Sequence, residues 1–337
     1  MQSDDNSSRK YIFVCGLHRS GTSLLAENIG KLENCTGFKG VPPSVSDEGQ
    51  NLQDIYPFEA EYRGPGRFGF DPRAHLTESS KLLTAENVTR LRASWHSYWD
   101  NGKAIFVEKT PGNLLMTRFL QAAFPNSYFV VITRHPIPVS MGTPKLGQAS
   151  AISLHRLFEH WLHCNELFEQ DRKYLQRVYE LKYEDYIEDP AKYHNELAAF
   201  LGTRVPEGGL KEVKAAPSKK YFDRWFNLLT SSFFNSYYRF IAAKYEPRFA
   251  KYGYSLTKLS GTNGDVLCET GKVNGALGSL YCLGADAYAL ILRLLSWPPP
   301  YLRRRIKARL PESVLVRINQ ARQKASLSKD RGEVSST

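Results

Sequence analysis

The chain has 337 residues, 42% of them apolar, 12% aromatic and 23% charged, which excludes wholesale disorder and marks a globular protein of one large or two moderate domains. Lys and Arg outnumber Asp and Glu by 45 to 34, and the formal charge of +11 points to an anionic partner: nucleic acid, acidic lipid or a phosphorylated small molecule. Residues 297–337 hold ten basic against three acidic residues and so carry +7, leaving +4 for residues 1–296, too little to imply nucleic acid binding by the main body.

Residues 1–10 are polar and read as a disordered lead-in, without the apolar core of a secretory signal. Residues 11–15 are continuously apolar, as in a strand buried on both faces of a parallel sheet. After the turn at 16–23, Leu24, Leu25, Ile29 and Leu32 recur at helical spacing. The alternation continues with a strand at 104–107, a helix at 113–124, a strand at 128–133, a long helix at 153–175, a strand at 178–181 and a helix at 190–201. This predicts an α/β protein, a P-loop-like three-layer fold with a central parallel sheet flanked by helices.

Residues 36–78 interrupt the pattern with Gly, Pro and polar residues. The embedded Phe38, Tyr56, Phe58, Tyr62, Phe68 and Phe70 argue for an insertion packed over the sheet's edge, near an acceptor site, rather than for disorder. Composition shifts to Gly, Ser, Thr and Asn after Leu256, so the main domain is read as 11–257 and a C-terminal extension as 258–337. Within the extension, residues 277–295 are apolar, but Gly278, Gly284, Asp286 and Arg293 interrupt them, and no spanning helix is expected. An apolar helix followed by the basic residues 301–310 reads first as a helical appendage with a solvated charge run, and in the sharper reading as a peripheral membrane contact through 274–310 or a subunit contact. Five scattered cysteines (15, 35, 164, 268 and 282) without a C-x-x-C pair fit a reducing compartment and a cytoplasmic location.

The turn at 16–23, G-L-H-R-S-G-T-S, fits G-x-x-x-x-G, with Thr22 where a triphosphate-binding loop requires Lys. Backbone N–H groups at a helix N-terminus cradle anionic oxygens, and Arg19, Ser20, Thr22 and Ser23 add side-chain donors. Without that lysine a phosphosulfate fits better than a triphosphate with its magnesium. Segment 13–25 resembles the 5′-phosphosulfate loop of sulfotransferases, in the R-S-G-T branch that includes bacterial and tyrosylprotein enzymes. V-E-K-T-P-G-N (107–113), Y-F-V-V-I-T-R-H-P (128–136) and L-K-Y-E-D-Y-I-E-D-P (181–190) resemble further family segments in the same order, so the likeness runs over residues 11–256.

The resemblance implies 3′-phosphoadenosine 5′-phosphosulfate as donor, held at its 5′ end by Arg19, Ser20, Gly21, Thr22 and Ser23 and at its 3′-phosphate by Arg134. Where the family usually has a second 3′-phosphate contact, a serine, this chain has Gly142; Ser140 is taken in its place, with Thr143 the other nearby hydroxyl. Lys219, Lys220 and Arg224 are candidates for a closing loop. Arg19 and Lys109 are read as the cations that stabilise charge during transfer, the alternative for Lys109 being a surface pair with Glu108. The base implied by the tyrosylprotein branch is Glu48, then Asp47; His18, inside the loop, is a further candidate.

The acceptor is expected to be a hydroxyl or amine of a small molecule, glycan or lipid; no metal is required and no nucleic acid partner is expected. His160 and His163 share a helix face but lack a further ligand, so a structural role is expected for them, and Leu157, Phe158, Trp161 and Leu162 read as core. Competing readings are a P-loop kinase-like phosphotransferase and a non-catalytic module that binds anions or lipid through its basic tail.

Overall fold

The computed structural model describes residues 9–146, 151–208, 210, 218–261, 264–267 and 275–295. Five strands form one parallel sheet in the order β2-β3-β1-β4-β5: β1 (Lys10–Cys15), β2 (Cys35–Thr36), β3 (Ile105–Lys109), β4 (Ser127–Thr133) and β5 (Val178–Lys182). The three central strands are buried on both faces, which is why they read as unbroken apolar runs rather than alternating ones. Because β1 is flanked by β3 and β4, the chain leaves its carboxyl end in one direction while the neighbouring connections run to opposite sides. That opens the crevice in which parallel α/β sheets place ligands.

Helices α1 (Thr22–Ile29), α2 (Ala85–His96), α3 (Thr117–Ala123), α4 (Pro136–Gly142), α5 (Leu154–Arg172), α6 (Tyr183–Glu188) and α7 (Pro190–Leu201) cover the sheet, followed by α8 (Lys219–Thr230) and α9 (Asn235–Ala250). One apolar cluster, on Phe13, Trp95, Phe106, Phe129, Phe158, Trp161 and Trp225, fills one side of the sheet. The other, on Ile12, Val14, Leu25, Val130 and Leu201, fills the opposite side. Leu157, Phe158, Trp161 and Leu162 belong to the buried core, as expected.

Several elements differ from the sequence reading. The helix expected at 113–124 begins only at Thr117, after a 3-10 turn over Pro111–Leu115, because the buried Asn113 side chain donates to Glu108 and ties the turn to β3. Residues 219, 220 and 224 lie in α8, a helix rather than a loop. The insertion starts at edge strand β2 but does not stay at the edge. The Gly49 N–H donates to Glu108 on β3 (2.8 Å) and the Gly69 N–H to His160 on α5 (3.2 Å), so the segment crosses the carboxyl end of the sheet.

Beyond Leu256 stand a hairpin, β6 (Lys258–Gly261) with β7 (Gly264–Leu267), and helix α10 (Gly275–Leu295). Contrary to the sequence expectation, Gly275–Arg293 is long and apolar enough to cross a membrane by length and composition, since it carries only two charges in nineteen residues. The greater part of the lead-in, residues 1–8, and the basic tail 297–337 lie outside the described residues.

Candidate active site

The loop after β1 delivers the first group of residues. Gly21, the N-cap of α1, has φ +98, and a Cβ there would meet the Tyr183 ring at 2.5 Å, so only glycine allows the turn and the close packing. Arg19 also occupies the left-handed region, at φ 68, a strained conformation for a side chain with a Cβ; the bend places its exposed side chain beside Gly142. Ser20 and Thr22 are buried and Ser23 is exposed at the start of α1. The N-terminal N–H groups of α1 have no side-chain cap, which leaves them to an anion.

Arg134, directly after β4, closes over the same loop. Its Nη1 donates to the Arg19 carbonyl (2.8 Å), its Nη2 to Ser218 Oγ (2.6 Å), and its guanidinium lies 3.9 Å from the centroid of the Tyr183 ring. The residue is 5% exposed, and its Nε is buried without a partner. Trp161 supports this position from the core by donating to the Arg134 carbonyl (3.0 Å). On α4, Ser140 Oγ is likewise buried without a partner, whereas Thr143 Oγ1 is spent on the Val139 carbonyl (2.7 Å). A Cβ on Gly142 would lie 3.2 Å from Arg19 and 3.3 Å from the Tyr221 hydroxyl, so those two residues bound the space of the missing serine side chain. Tyr221 comes from the first turn of α8, beside Lys219 and Lys220; Arg224, one turn further on, lines a cavity between α8 and α10 together with Ser140. An orphaned guanidinium nitrogen, an orphaned hydroxyl and an uncapped helix start suit a doubly anionic nucleotide such as 3′-phosphoadenosine 5′-phosphosulfate.

Lys109 ends β3, and it does not pair with Glu108. Its Nζ donates to Glu48 Oε1 at 2.9 Å, with both side chains largely shielded from water. Glu108 points elsewhere: it accepts from the Gly49 N–H, from Thr110 Oγ1 (2.5 Å) and from Asn113. Burial raises its pKa to about 7, although these three donors favour the carboxylate. Glu108 thereby clamps the turn that follows Glu48 onto the strand that carries Lys109. Gln50 completes the arrangement, donating to Glu48 Oε2 (2.8 Å) and accepting the Glu59 N–H (2.9 Å). Asp47 is exposed.

Behind this pair lie His18 and Glu59, 3.3 Å apart. Burial lowers the His18 pKa to about 4, and burial together with Glu48 raises that of Glu59 well above the carboxylate range. Both shifts favour the uncharged forms of the two side chains. His18 Nδ1 and both Glu59 oxygens are buried without a hydrogen bond. Glu59 and Gln50 escaped the sequence reading, and Glu108 entered it only as an alternative partner of Lys109, for nothing in their spacing distinguished them from loop or strand residues. His160 accepts the Gly69 N–H and lies between Phe68 and Phe70, while His163 stacks on Phe70. Both serve to seat the insertion, and among the described residues no group of three or more His, Cys, Asp or Glu is placed to hold a metal ion.

Comparison with known proteins bears on this arrangement directly. Residues 11–207 match the model of the sulfotransferase family. The chain belongs to that family. It is a sulfotransferase, an enzyme that moves a sulfuryl group from 3′-phosphoadenosine 5′-phosphosulfate, and the kinase-like and non-catalytic readings are set aside. Similar solved structures include sulfotransferase STF1 from Mycobacterium tuberculosis H37Rv (15% identity, TM-score 0.43, covering 60% of this chain and 70% of that one). A sulfotransferase from Alicyclobacillus acidocaldarius has 16% identity and TM-score 0.41, covering 72% of this chain and 95% of the other. A retinol dehydratase, solved with androsterone and the inactive cofactor PAP, has 14% identity and TM-score 0.33, covering 83% and 78%. None of the curated proteins matches the chain.

Proposed function

We propose that this sulfotransferase works with Glu48 as base and Lys109 as the cation at the reacting centre, on a hydroxyl of a small-molecule acceptor. The carrying observation is the shielded Lys109–Glu48 ion pair, clamped by Gln50 and Glu108 at the carboxyl end of β3. When bound, the donor supplies the sulfuryl group and a nucleotide leaving group. Loose in-line transfer asks the protein mainly to position the partners and to meet developing charge with fixed cations. Arg19, Ser20, Gly21, Thr22 and Ser23 would hold the 5′ end, and Arg134 with Ser140 the 3′-phosphate. The unpartnered Ser140 hydroxyl supports it over Thr143.

Glu48 accepts the acceptor's proton at Oε1 or Oε2 as attack proceeds. Lys109, released from Glu48 as that carboxylate is neutralised, is left to meet negative charge on the transferring group. No metal takes part in this scheme. A glycan or lipid acceptor is the alternative outcome of an acceptor screen. The four described cysteines are free thiols, which supports a reducing, cytoplasmic setting.

The test is transfer from labelled donor to a panel of small hydroxyl compounds, run beside calorimetric binding of 3′-phosphoadenosine 5′-phosphate. Loss of transfer with retained nucleotide binding in Glu48→Gln and in Lys109→Ala is the expected result. Wild-type turnover by Lys109→Ala would overturn the assignment.

A further inference from the structure

Helix α10 presents two unlike faces. Gly278, buried, packs on Phe240, where a Cβ would stand 2.1 Å from the ring, and Tyr281, Cys282 and Ala285 lie against the core cluster. On the same side Asp286 accepts from Ser153 Oγ (2.6 Å) and pairs with Arg156 and His155 on α5. The helix is therefore fastened along the flank of the α/β domain by its polar residue and its small ones. The outward face has no counterpart among the described residues. Leu280 and Leu283 are 63% and 64% exposed, and Leu277, Leu290 and Ile291 continue the surface, with no charged residue among them. An apolar stripe of this length on a surface helix requires a cover.

Guanidiniums gather beside that stripe. A cleft of about 640 Å³ between α10, the start of α5 and the insertion is lined by Arg63, Arg67, Arg156 and Arg293, with Asp71 and Asp286 the acidic members. Both carboxylates are engaged, Asp71 by Arg73 and Asp286 as above. Arg67, half-buried, donates to the Ala151 carbonyl (2.7 Å), and burial with the nearby Arg293 and Arg63 lowers its pKa to about 10. Like charges held together at the edge of an apolar face are complementary to an anionic head group, and the sequence beyond α10 adds five basic residues in 301–310.

We propose that α10 lies in the plane of an anionic membrane surface, its leucine face in the acyl boundary and the arginine-lined cleft on lipid phosphate. A helix lying in this way stays fastened to α5 through Asp286, whereas a spanning helix would have to give up those contacts. The proposal concerns where the enzyme works and does not depend on which residues perform the transfer.

Flotation of the full chain with vesicles of phosphatidylcholine alone, or mixed with phosphatidylglycerol, tests it. The expected result is flotation with the mixed vesicles, weakened by salt, and little with phosphatidylcholine alone. Leu280→Glu/Leu283→Glu, with the basic tail intact, should lower the bound fraction about tenfold or more. Arg63→Ser/Arg67→Ser should lower it several-fold and reduce its salt dependence. Retained binding of 3′-phosphoadenosine 5′-phosphate verifies that each variant is folded. Undiminished flotation of the leucine variant would assign the contact to the tail and overturn the proposal. So would a dimer abolished by the same variant, which would make a second copy the cover, or retention in the membrane after alkaline carbonate extraction, which marks a spanning helix.

Discussion

The loop at 16–23 and the turn around Glu48 face the same crevice, but the loop draws its donors from eight consecutive residues, whereas the Glu48 side joins residues 61 positions apart in sequence. On the loop side polar groups stand unanswered: the Arg134 Nε, the Ser140 hydroxyl and the start of α1. Around Glu48 the ion pair is already answered, Lys109 at one carboxylate oxygen and Gln50 at the other, while the Glu59 carboxyl behind it has no partner. A side with unmet donors is suited to holding an anion, and a side with a balanced ion pair to exchanging a proton. Substitutions on the two sides should therefore separate binding from turnover.

The largest effect is expected at the ion pair. Glu48→Gln and Lys109→Ala should each lower kcat by about 10²–10³ in single-turnover transfer from labelled donor. Affinity for 3′-phosphoadenosine 5′-phosphate should change little in either. Arg134→Ala should do the reverse, weakening nucleotide binding in calorimetry by about tenfold to a hundredfold, as loss of charged hydrogen bonds implies. A smaller fall in turnover at saturating donor is expected there; equal effects on binding and turnover would break the division between the two sides.

Gln50→Ala should reduce kcat by about tenfold through a looser Glu48, since positioning contributes part of the rate. The distinguishing readout is the split between kcat and nucleotide affinity: a looser base lowers kcat and leaves binding of 3′-phosphoadenosine 5′-phosphate unchanged.

Gly49→Ala should cost about 1–3 kcal/mol in urea unfolding, because its Cβ would stand 2.6 Å from Glu108 and 2.8 Å from Trp95. The smallest effect is on pH dependence. His18 falls from an ordinary pKa of 6.5 to about 4 on folding, so the unfolded chain takes up the proton first. The contribution of its neutral form is present above about pH 6.5 and lost as pH falls toward 4; His18→Asn should lessen that acid loss. Glu108 works in the opposite sense. Raised from 4.5 to about 7, it contributes below pH 4.5, and the contribution is lost as pH rises through 7.

Legibility followed locality. The strands and the helix at 190–201 were readable because burial on both faces of a sheet, and helical spacing, leave contiguous patterns. The positions of Arg19 and Arg134, past the carboxyl ends of β1 and β4, were readable because a strand, a turn and a basic residue sit next to one another in the chain. Helices α8 and α9 were not, since their aromatic residues pack against distant elements, as Trp225 does in donating to the Leu256 carbonyl. Gln50 and Glu59 gave no signal, because a hydrogen bond across nine residues of loop has no period.

The amino-acid sequence by itself determined the α/β alternation and the Gly-rich turn with its missing lysine, and, through the family resemblance of that turn, the expectation of a phosphosulfate donor, because each depends on neighbouring residues. Only the tertiary structure decided that Lys109 faces Glu48 rather than Glu108, that buried Glu59 and half-buried His18 sit behind that pair, and that α10 turns its leucines outward. Those outcomes depend on which distant segments share the carboxyl end of the sheet, and burial there sets the partner of each charged group.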